Sequence, residues 1–240
     1  MILSYYDNGK NGDIVLFIHG TASANDVWEK QYKILKPNYR TIGIDLRGHG
    51  KSINPGGICT TDVHMNDLRE TLEHIGINKP VSIIGHSFGA VLALKFAEEY
   101  PDSVLKLLLV SLPPKVPEVL HRYYNWLLGK PVDLLKKTTN FALKLPIKKR
   151  HKLALISDMS IVRQIWRDSI SWDFLSNTPK VICPVHFSVG RYDYIALKSS
   201  IKTLHRTMPN SSYRVFDFAS HTCMEDVPKE FNEWLIKSLA

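Results

Sequence analysis

Short apolar runs alternate along this chain with segments in which apolar residues recur every three or four positions. Such runs are typical of buried parallel strands, and they occupy residues 14–20, 39–45, 81–85, 104–110, 185–190 and 212–218. Helical spacing occurs at residues 28–35, 65–77, 88–100, 197–205 and 230–239. Strands that alternate with helices predict an α/β fold, with a mostly parallel open sheet covered by helices on both faces.

Residues 112–179 break this alternation. The segment opens with LPPKVP and then shows helical patterns without a clear strand. Because it lies between two predicted strands of the sheet, it is interpreted as a helical lid inserted into a core domain of residues 1–111 and 180–240. Residues 2–6 are expected to add an antiparallel strand at one edge of the sheet.

The composition narrows the class of protein. The chain is 44% apolar and 22% charged, which is typical of a soluble globular protein. It has no uninterrupted apolar stretch of ~18 residues, so no membrane span is expected, and no secretory signal is visible. The three cysteines show no C-x-x-C pairing, which favours free thiols and a cytoplasmic location. No metal-ligand spacing occurs, so the sequence predicts neither a metal nor a cofactor.

The net charge of +8 is concentrated in one part of the chain. Residues 115–152 contain ten Lys and Arg against two acidic residues, and the remaining residues balance. A solvated, lysine-rich face of the lid is the simpler interpretation. The alternative is that KKRHK at residues 148–152 and its neighbours attract an acidic partner protein. Nucleic acid is not an expected partner, and no amphipathic membrane anchor is visible.

A serine between two glycines follows the third predicted strand. Ser87 is the central residue of G-x-S-x-G at residues 85–89, and a predicted helix begins directly after it. A sharp turn from strand to helix brings neighbouring backbone so close that only Gly fits on either side, and it exposes the serine hydroxyl above the edge of the sheet. The context therefore predicts that Ser87 is a nucleophile.

A serine hydroxyl needs a base to accept its proton and an acid to orient that base. In this turn the expected chain order is Ser, then Asp or Glu, then His. Asp193 and His221 follow the fifth and sixth predicted strands, at the carboxyl ends where reacting groups gather in open α/β sheets. Asp217 and Asp226 are the alternative carboxylates, one inside a strand pattern and the other beyond the loop of His221.

The chain resembles α/β-hydrolases of the lidded serine esterase type over essentially its full length. The similar stretches are FIHGTASANDVW, GIDLRGHGKS, GHSFGA, VGRYDY and ASHTCMEDVPKEF. The resemblance implies that Ser87 is the nucleophile, His221 the general base and then acid, and Asp193 the orienting carboxylate. It also implies an oxyanion hole formed by the backbone N–H groups of Thr21 and Phe88.

The activity that the resemblance implies is cleavage of a small-molecule carboxylic ester through an acyl-enzyme intermediate. The acidic partner of KKRHK would then be an acyl-carrier protein that delivers a tethered ester. Thioester, lactone or C–C bond hydrolysis would use the same residues. A ligand-sensing receptor with little turnover is the alternative of a different class, since a fold does not fix a function. Related dehalogenases and epoxide hydrolases use Asp as the nucleophile, so Ser87 argues against those branches. Other relatives carry the acid after the preceding strand, where this chain has Ser111.

Aromatic residues are the candidates for an apolar acyl pocket between core and lid. They are Trp28, Phe88, Tyr123, Tyr124, Trp126, Trp166 and Trp172. Trp28 is the favoured residue of this set, because it follows the predicted oxyanion loop closely. Packing of the lid onto the core is the alternative role for each of them.

Overall fold

The computed structural model describes residues 1–129, 131–132, 143–144 and 149–240, and for residues 149–151 it describes the backbone alone. Its strands are β1 (Tyr5–Asp7), β2 (Ile14–Ile18), β3 (Arg40–Ile44), β4 (Val81–His86), β5 (Val104–Val110), β6 (Val185–Gly190) and β7 (Ser211–Phe216). They form one sheet in the order β1-β3-β2-β4-β5-β6-β7. All neighbours pair in parallel except β1, which pairs antiparallel to β3.

Helices cover both faces of this sheet. In the described part of the chain, the helices are α1 (Glu29–Leu35), α2 (Thr61–His74), α3 (Phe88–Glu99), α4 (Glu118–Leu127), α5 (Lys149–Ile156), α6 (Met159–Asp168), α7 (Lys198–Thr207), α8 (Cys223–Asp226) and α9 (Pro228–Leu239). Alternate residues of each central strand point to opposite faces, so two apolar clusters form. One cluster packs the sheet against α2, α3 and α7. The other packs it against α1 and α9.

The predicted fold class is confirmed, and its details differ at the ends of the elements. The edge strand occupies Tyr5–Asp7 rather than residues 2–6. Helix α2 begins at Thr61, four residues before the first predicted position, because the Thr60 hydroxyl accepts the Val63 N–H and caps the helix. In the described ranges no helix is long and apolar enough to cross a membrane.

The described residues between β5 and β6 form α4, α5 and α6, with a single isolated bridge between Lys115 and Asp173. Their role as a lid stays a prediction. Much of the basic segment lies outside the described residues, including Lys130, Lys136, Lys137 and Lys148. The predicted contact of KKRHK with an acidic carrier protein therefore lies largely outside the described residues as well.

Candidate active site

Ser87 occupies a strained turn between β4 and α3. Its φ is 53°, a left-handed conformation that few residues other than Gly adopt. A Cβ on Gly85 would lie 2.6 Å from the Ala90 Cα, and one on Gly89 would lie 2.7 Å from the Ile18 carbonyl carbon. Both flanking positions therefore require Gly, as the G-x-S-x-G pattern predicts.

His221 lies between Ser87 and Asp193 and is bonded to both. The Nε2 atom of His221 is 2.9 Å from the Ser87 Oγ, and its Nδ1 is 2.9 Å from the Asp193 Oδ2. The three residues come from the ends of three elements that are far apart in sequence. A neutral imidazole in this arrangement carries its proton on Nδ1 and offers Nε2 to the serine hydroxyl, which is the arrangement a general base requires.

Two backbone N–H groups hold the Asp193 carboxylate in place. Asp193 follows β6, and its Oδ1 accepts hydrogen bonds from the N–H groups of Ile195 and Ala196, both at 2.9 Å. Burial disfavours the charged carboxylate, but His221, the Ala196 N–H and the Ser111 hydroxyl outweigh it, so the pKa of Asp193 lies below its ordinary value. An ionised carboxylate is thus kept beside the imidazole.

The other candidate carboxylates have different partners. Asp217 pairs with the Arg191 guanidinium at the surface, and Asp226 accepts hydrogen bonds from the N–H and hydroxyl of Ser220. Ser220 precedes His221, so Asp226 helps to fix the loop that carries the imidazole.

His86 also fixes this loop, a role that sequence reasoning did not identify. The Nε2 of His86 donates a hydrogen bond to the His221 backbone carbonyl at 2.8 Å, across 135 positions of sequence. Burial lowers the pKa of His86 to about 3, so the ring stays neutral near pH 7. Its position directly before Ser87 was the available signal, but the sequence does not show which group it would meet.

The loop after β2 lies against the serine turn. A Cβ on Gly20 would lie 3.0 Å from the Ser87 Cβ. Within the described residues, neither the Thr21 nor the Phe88 backbone N–H donates to a protein acceptor. Both are therefore available to a ligand atom beside Ser87, as an oxyanion hole requires.

His49 shapes the same loop. Ala22 has a φ of 56°, and its N–H donates to the Nε2 of His49 at 3.0 Å. The Nδ1 of His49 lies 2.8 Å from the Arg47 carbonyl oxygen, which fixes the ring with its proton on Nδ1. The neutral imidazole thus holds the residue next to Thr21 in a strained conformation.

A small cavity opens directly in front of Ser87. Its volume is about 20 Å³, room for about one water molecule. Four larger cavities, of about 250 to about 470 Å³, lie elsewhere in the described part of the chain and are lined by other residues. Both predicted donors of the oxyanion hole, Thr21 and Phe88, line the small cavity.

Four of the aromatic candidates lie at the cavity or contact a residue that lines it. Phe88, Trp166 and Trp172 line the cavity, and Tyr124 stacks on Trp166 with ring centroids 4.4 Å apart.

The favoured prediction for Trp28 is wrong. Trp28 is fully buried and packs between Phe17 and Phe231 in the core. The 3-10 turn at Asn25–Trp28 places its side chain on the face of the sheet covered by α1 and α9. Tyr123 and Trp126 do not border the cavity either, since they lie on α4 with 51% and 65% of their surface exposed.

Comparisons with known proteins agree with this architecture. The family model for the α/β hydrolase fold matches residues 13–136. Human epoxide hydrolase 4 is 30% identical over 145 residues, which cover 59% of this chain and 38% of that protein. The chain thus spans well under half the length of that relative.

Two solved structures resemble the chain over almost its full length. A hydrolase from Pseudomonas aeruginosa PA01 superposes with a TM-score of 0.87 at 17% identity and covers 99% of this chain and 94% of its own. A thermophilic esterase from Thermogutta terrifontis gives a TM-score of 0.81 at 23% identity, with 98% and 93% covered. From the family match and the shared fold, the chain belongs to the α/β-hydrolase fold family.

Proposed function

We propose that this chain is a serine hydrolase that cleaves carboxylic esters through an acyl-enzyme intermediate. The observation that carries the proposal is the hydrogen-bonded series from the Ser87 Oγ through His221 to Asp193, with both contacts of the ring at 2.9 Å. A serine, an imidazole and a carboxylate in this geometry are the parts that nucleophilic acyl transfer needs.

In the first half of the reaction, the Ser87 Oγ attacks the ester carbonyl carbon while the His221 Nε2 accepts the serine proton. The carbonyl oxygen becomes an oxyanion, which the N–H groups of Thr21 and Phe88 stabilise. The intermediate then expels the alcohol, which leaves with the proton from His221, and Ser87 remains esterified. Asp193 stays ionised throughout and stabilises the imidazolium.

In the second half, a water molecule replaces the alcohol. His221 accepts a proton from the water as its oxygen attacks the acyl carbon, and the second tetrahedral intermediate collapses. The Ser87 Oγ takes the proton back from the imidazolium, and the carboxylic acid departs. One ester and one water thus give one acid and one alcohol, with the protein unchanged.

The serine at position 87 separates the proposal from the activity named for human epoxide hydrolase 4. The resemblance assigns an Asp nucleophile to epoxide hydrolases, whereas this chain has a hydroxyl activated by His221. The esterase from Thermogutta terrifontis supports ester cleavage as the proposed reaction.

We also propose that residues 112–179 form a lid over a core of residues 1–111 and 180–240. The placement of Trp166 and Trp172 at the cavity in front of Ser87 supports this division. The free, buried thiols of Cys59, Cys183 and Cys223 favour a reducing, cytoplasmic location.

Labelling and turnover together test the proposed function. A fluorophosphonate is expected to label the protein at one site, and p-nitrophenyl acetate is expected to be hydrolysed over many turnovers, because His221 activates Ser87. Both signals should disappear in Ser87→Ala and persist in Ser199→Ala, which removes an exposed hydroxyl from α7. An active Ser87→Ala protein would overturn the mechanism, and release of only one product per chain would favour a receptor.

Removal of the His49 acceptor tests the oxyanion hole. His49→Ala is expected to lower kcat about tenfold with little change in KM, since the Ala22 N–H loses its acceptor and the Thr21 N–H shifts from the developing oxyanion. His49→Gln, whose Oε1 can accept the same N–H, should restore part of kcat. The matched control is His74→Ala, at an exposed position of α2. An unchanged kcat in a folded His49→Ala protein would remove His49 from this role.

A further inference from the structure

Most of the side chains around the cavity in front of Ser87 are buried and apolar. Besides Phe88, its buried lining residues are Pro113, Val116, Ile165, Ser169 and Trp172. Thr21, Trp166 and Ile195 also line it and are half-buried. An acyl group beside Ser87 would therefore meet mostly apolar side chains.

Two stacked aromatic rings form one wall of the cavity. The Phe88 and Trp172 rings lie 5.5 Å apart between centroids, with an angle of 12° between their planes. Phe88 directly follows the nucleophile and contributes one proposed oxyanion donor. The stack therefore fixes the position of Trp172 relative to the reacting atoms.

A hydrogen bond to the core holds Trp172 in this position. Its Nε1 donates to the Thr61 Oγ1 at 3.3 Å. Thr61, the first residue of α2, also bonds through its N–H and hydroxyl to the Asp168 carboxylate at the end of α6. Trp172 is thus anchored to the core through a residue that also holds the adjacent helix.

The rest of α6 is attached to the segment of the core between β3 and α2. At its start, the Asp158 N–H donates to the Gly48 carbonyl at 2.9 Å, and the Asn54 amide donates to the Asp158 carboxylate at 2.9 Å. In its middle, the Gln164 Oε1 accepts the Cys59 N–H at 2.8 Å. The helix that closes the cavity is therefore bonded to the core near both ends and in its middle, which opposes widening of the acyl site.

We propose that the site takes esters of very short carboxylic acids, with formyl or acetyl as the acyl group, and that Trp172 sets this limit. The inference rests on the proposed ester hydrolase function. A cavity of about 20 Å³ admits one water-sized group beside the reacting carbon, such as the methyl group of acetate. Each further methylene would have to displace Trp172 or a neighbour that close packing holds in place.

A series of p-nitrophenyl esters tests this limit. For the wild-type protein, kcat/KM is expected to be highest with acetate and to fall at least tenfold with butyrate and further with octanoate. In Trp172→Ala the ratio of butyrate to acetate should rise at least tenfold, because removal of the indole from the wall enlarges the cavity. Ile170→Ala, which shortens an exposed side chain two positions away and outside the cavity, should leave the ratio unchanged.

A second variant tests the same limit if Trp172→Ala does not fold. Ile165→Ala shortens another buried side chain in the wall of the cavity and should raise the ratio of butyrate to acetate by a smaller factor. Preference of the wild-type protein for butyrate or octanoate would overturn the limit while leaving the hydrolase intact. A ratio unchanged in both folded variants would also overturn it, and failure to hydrolyse any ester would overturn the hydrolase function and the limit together.

Discussion

A Ser87→Ala, His221→Ala double variant is expected to hydrolyse esters no more slowly than either single variant. Each single substitution should lower kcat by about a millionfold, as in serine hydrolases whose nucleophile and base act as one unit. The reason is the 2.9 Å contact between the Ser87 Oγ and the His221 Nε2. Without the hydroxyl the base has no proton to accept, and without the base the hydroxyl is a weak nucleophile.

The measurement is kcat for p-nitrophenyl acetate in the wild-type protein, both single variants and the double variant. Asp193→Asn supplies an intermediate case, with an expected loss of about ten-thousandfold, because an amide favours the wrong imidazole tautomer. A double variant much slower than the single variants would mean that the two side chains act separately. A His221→Ala variant with most of its activity would exclude the imidazole as the base.

The parts of the site that were predictable from sequence are those set by local geometry. Gly85 and Gly89 are required because a Cβ at either position would overlap neighbouring backbone. That steric requirement appears in the sequence as G-x-S-x-G between an apolar strand and a helix. Asp193 and His221 were predicted on a different ground. They follow Ser87 in the expected chain order, and they lie after parallel strands, whose carboxyl ends meet at one edge of the sheet.

Contacts between side chains and groups far apart in the chain left no comparable signal in the sequence. The bond from His86 to the His221 carbonyl and the stack of Phe88 on Trp172 join residues more than 80 positions apart. An aromatic side chain has the same sequence signature in a core as in a pocket. The prediction for Trp28 was therefore wrong, because nearness in sequence to the predicted oxyanion loop does not determine on which face of the sheet a side chain lies.

A decrease in pH from 7 to 5 is expected to lower the free energy of unfolding by about 2 kcal/mol for each of four buried histidines. These residues are His19, His49, His64 and His86, none of them more than 5% exposed. Burial disfavours the imidazolium, so the pKa falls to about 4 for His19 and to about 3 for the other three.

The direction follows from which state binds the protons. In the unfolded chain each imidazole is protonated as the pH falls through about 6.5, whereas in the folded protein it stays neutral down to about pH 4 or 3. The unfolded state therefore binds more protons between these limits, and stability is lost as the pH decreases. Hydrogen bonds support the neutral forms, since the Nε2 of His19 accepts the Leu46 N–H and that of His49 accepts the Ala22 N–H.

Urea unfolding at pH 7, 6 and 5 measures the effect. The four histidines together should remove about 8 kcal/mol, which is comparable with the whole stability of a typical domain. His64→Leu should reduce the pH-dependent loss by about a quarter, because it removes one buried imidazole whose Nδ1 has no hydrogen-bond partner among the described residues. His74→Ala, at an exposed position, should leave the loss unchanged. A free energy of unfolding that stays constant from pH 7 to pH 5 would mean that these imidazoles take up protons in the folded protein as they do in the unfolded chain. Protonation would then remove the acceptor role of His49 at the predicted oxyanion loop as the pH falls.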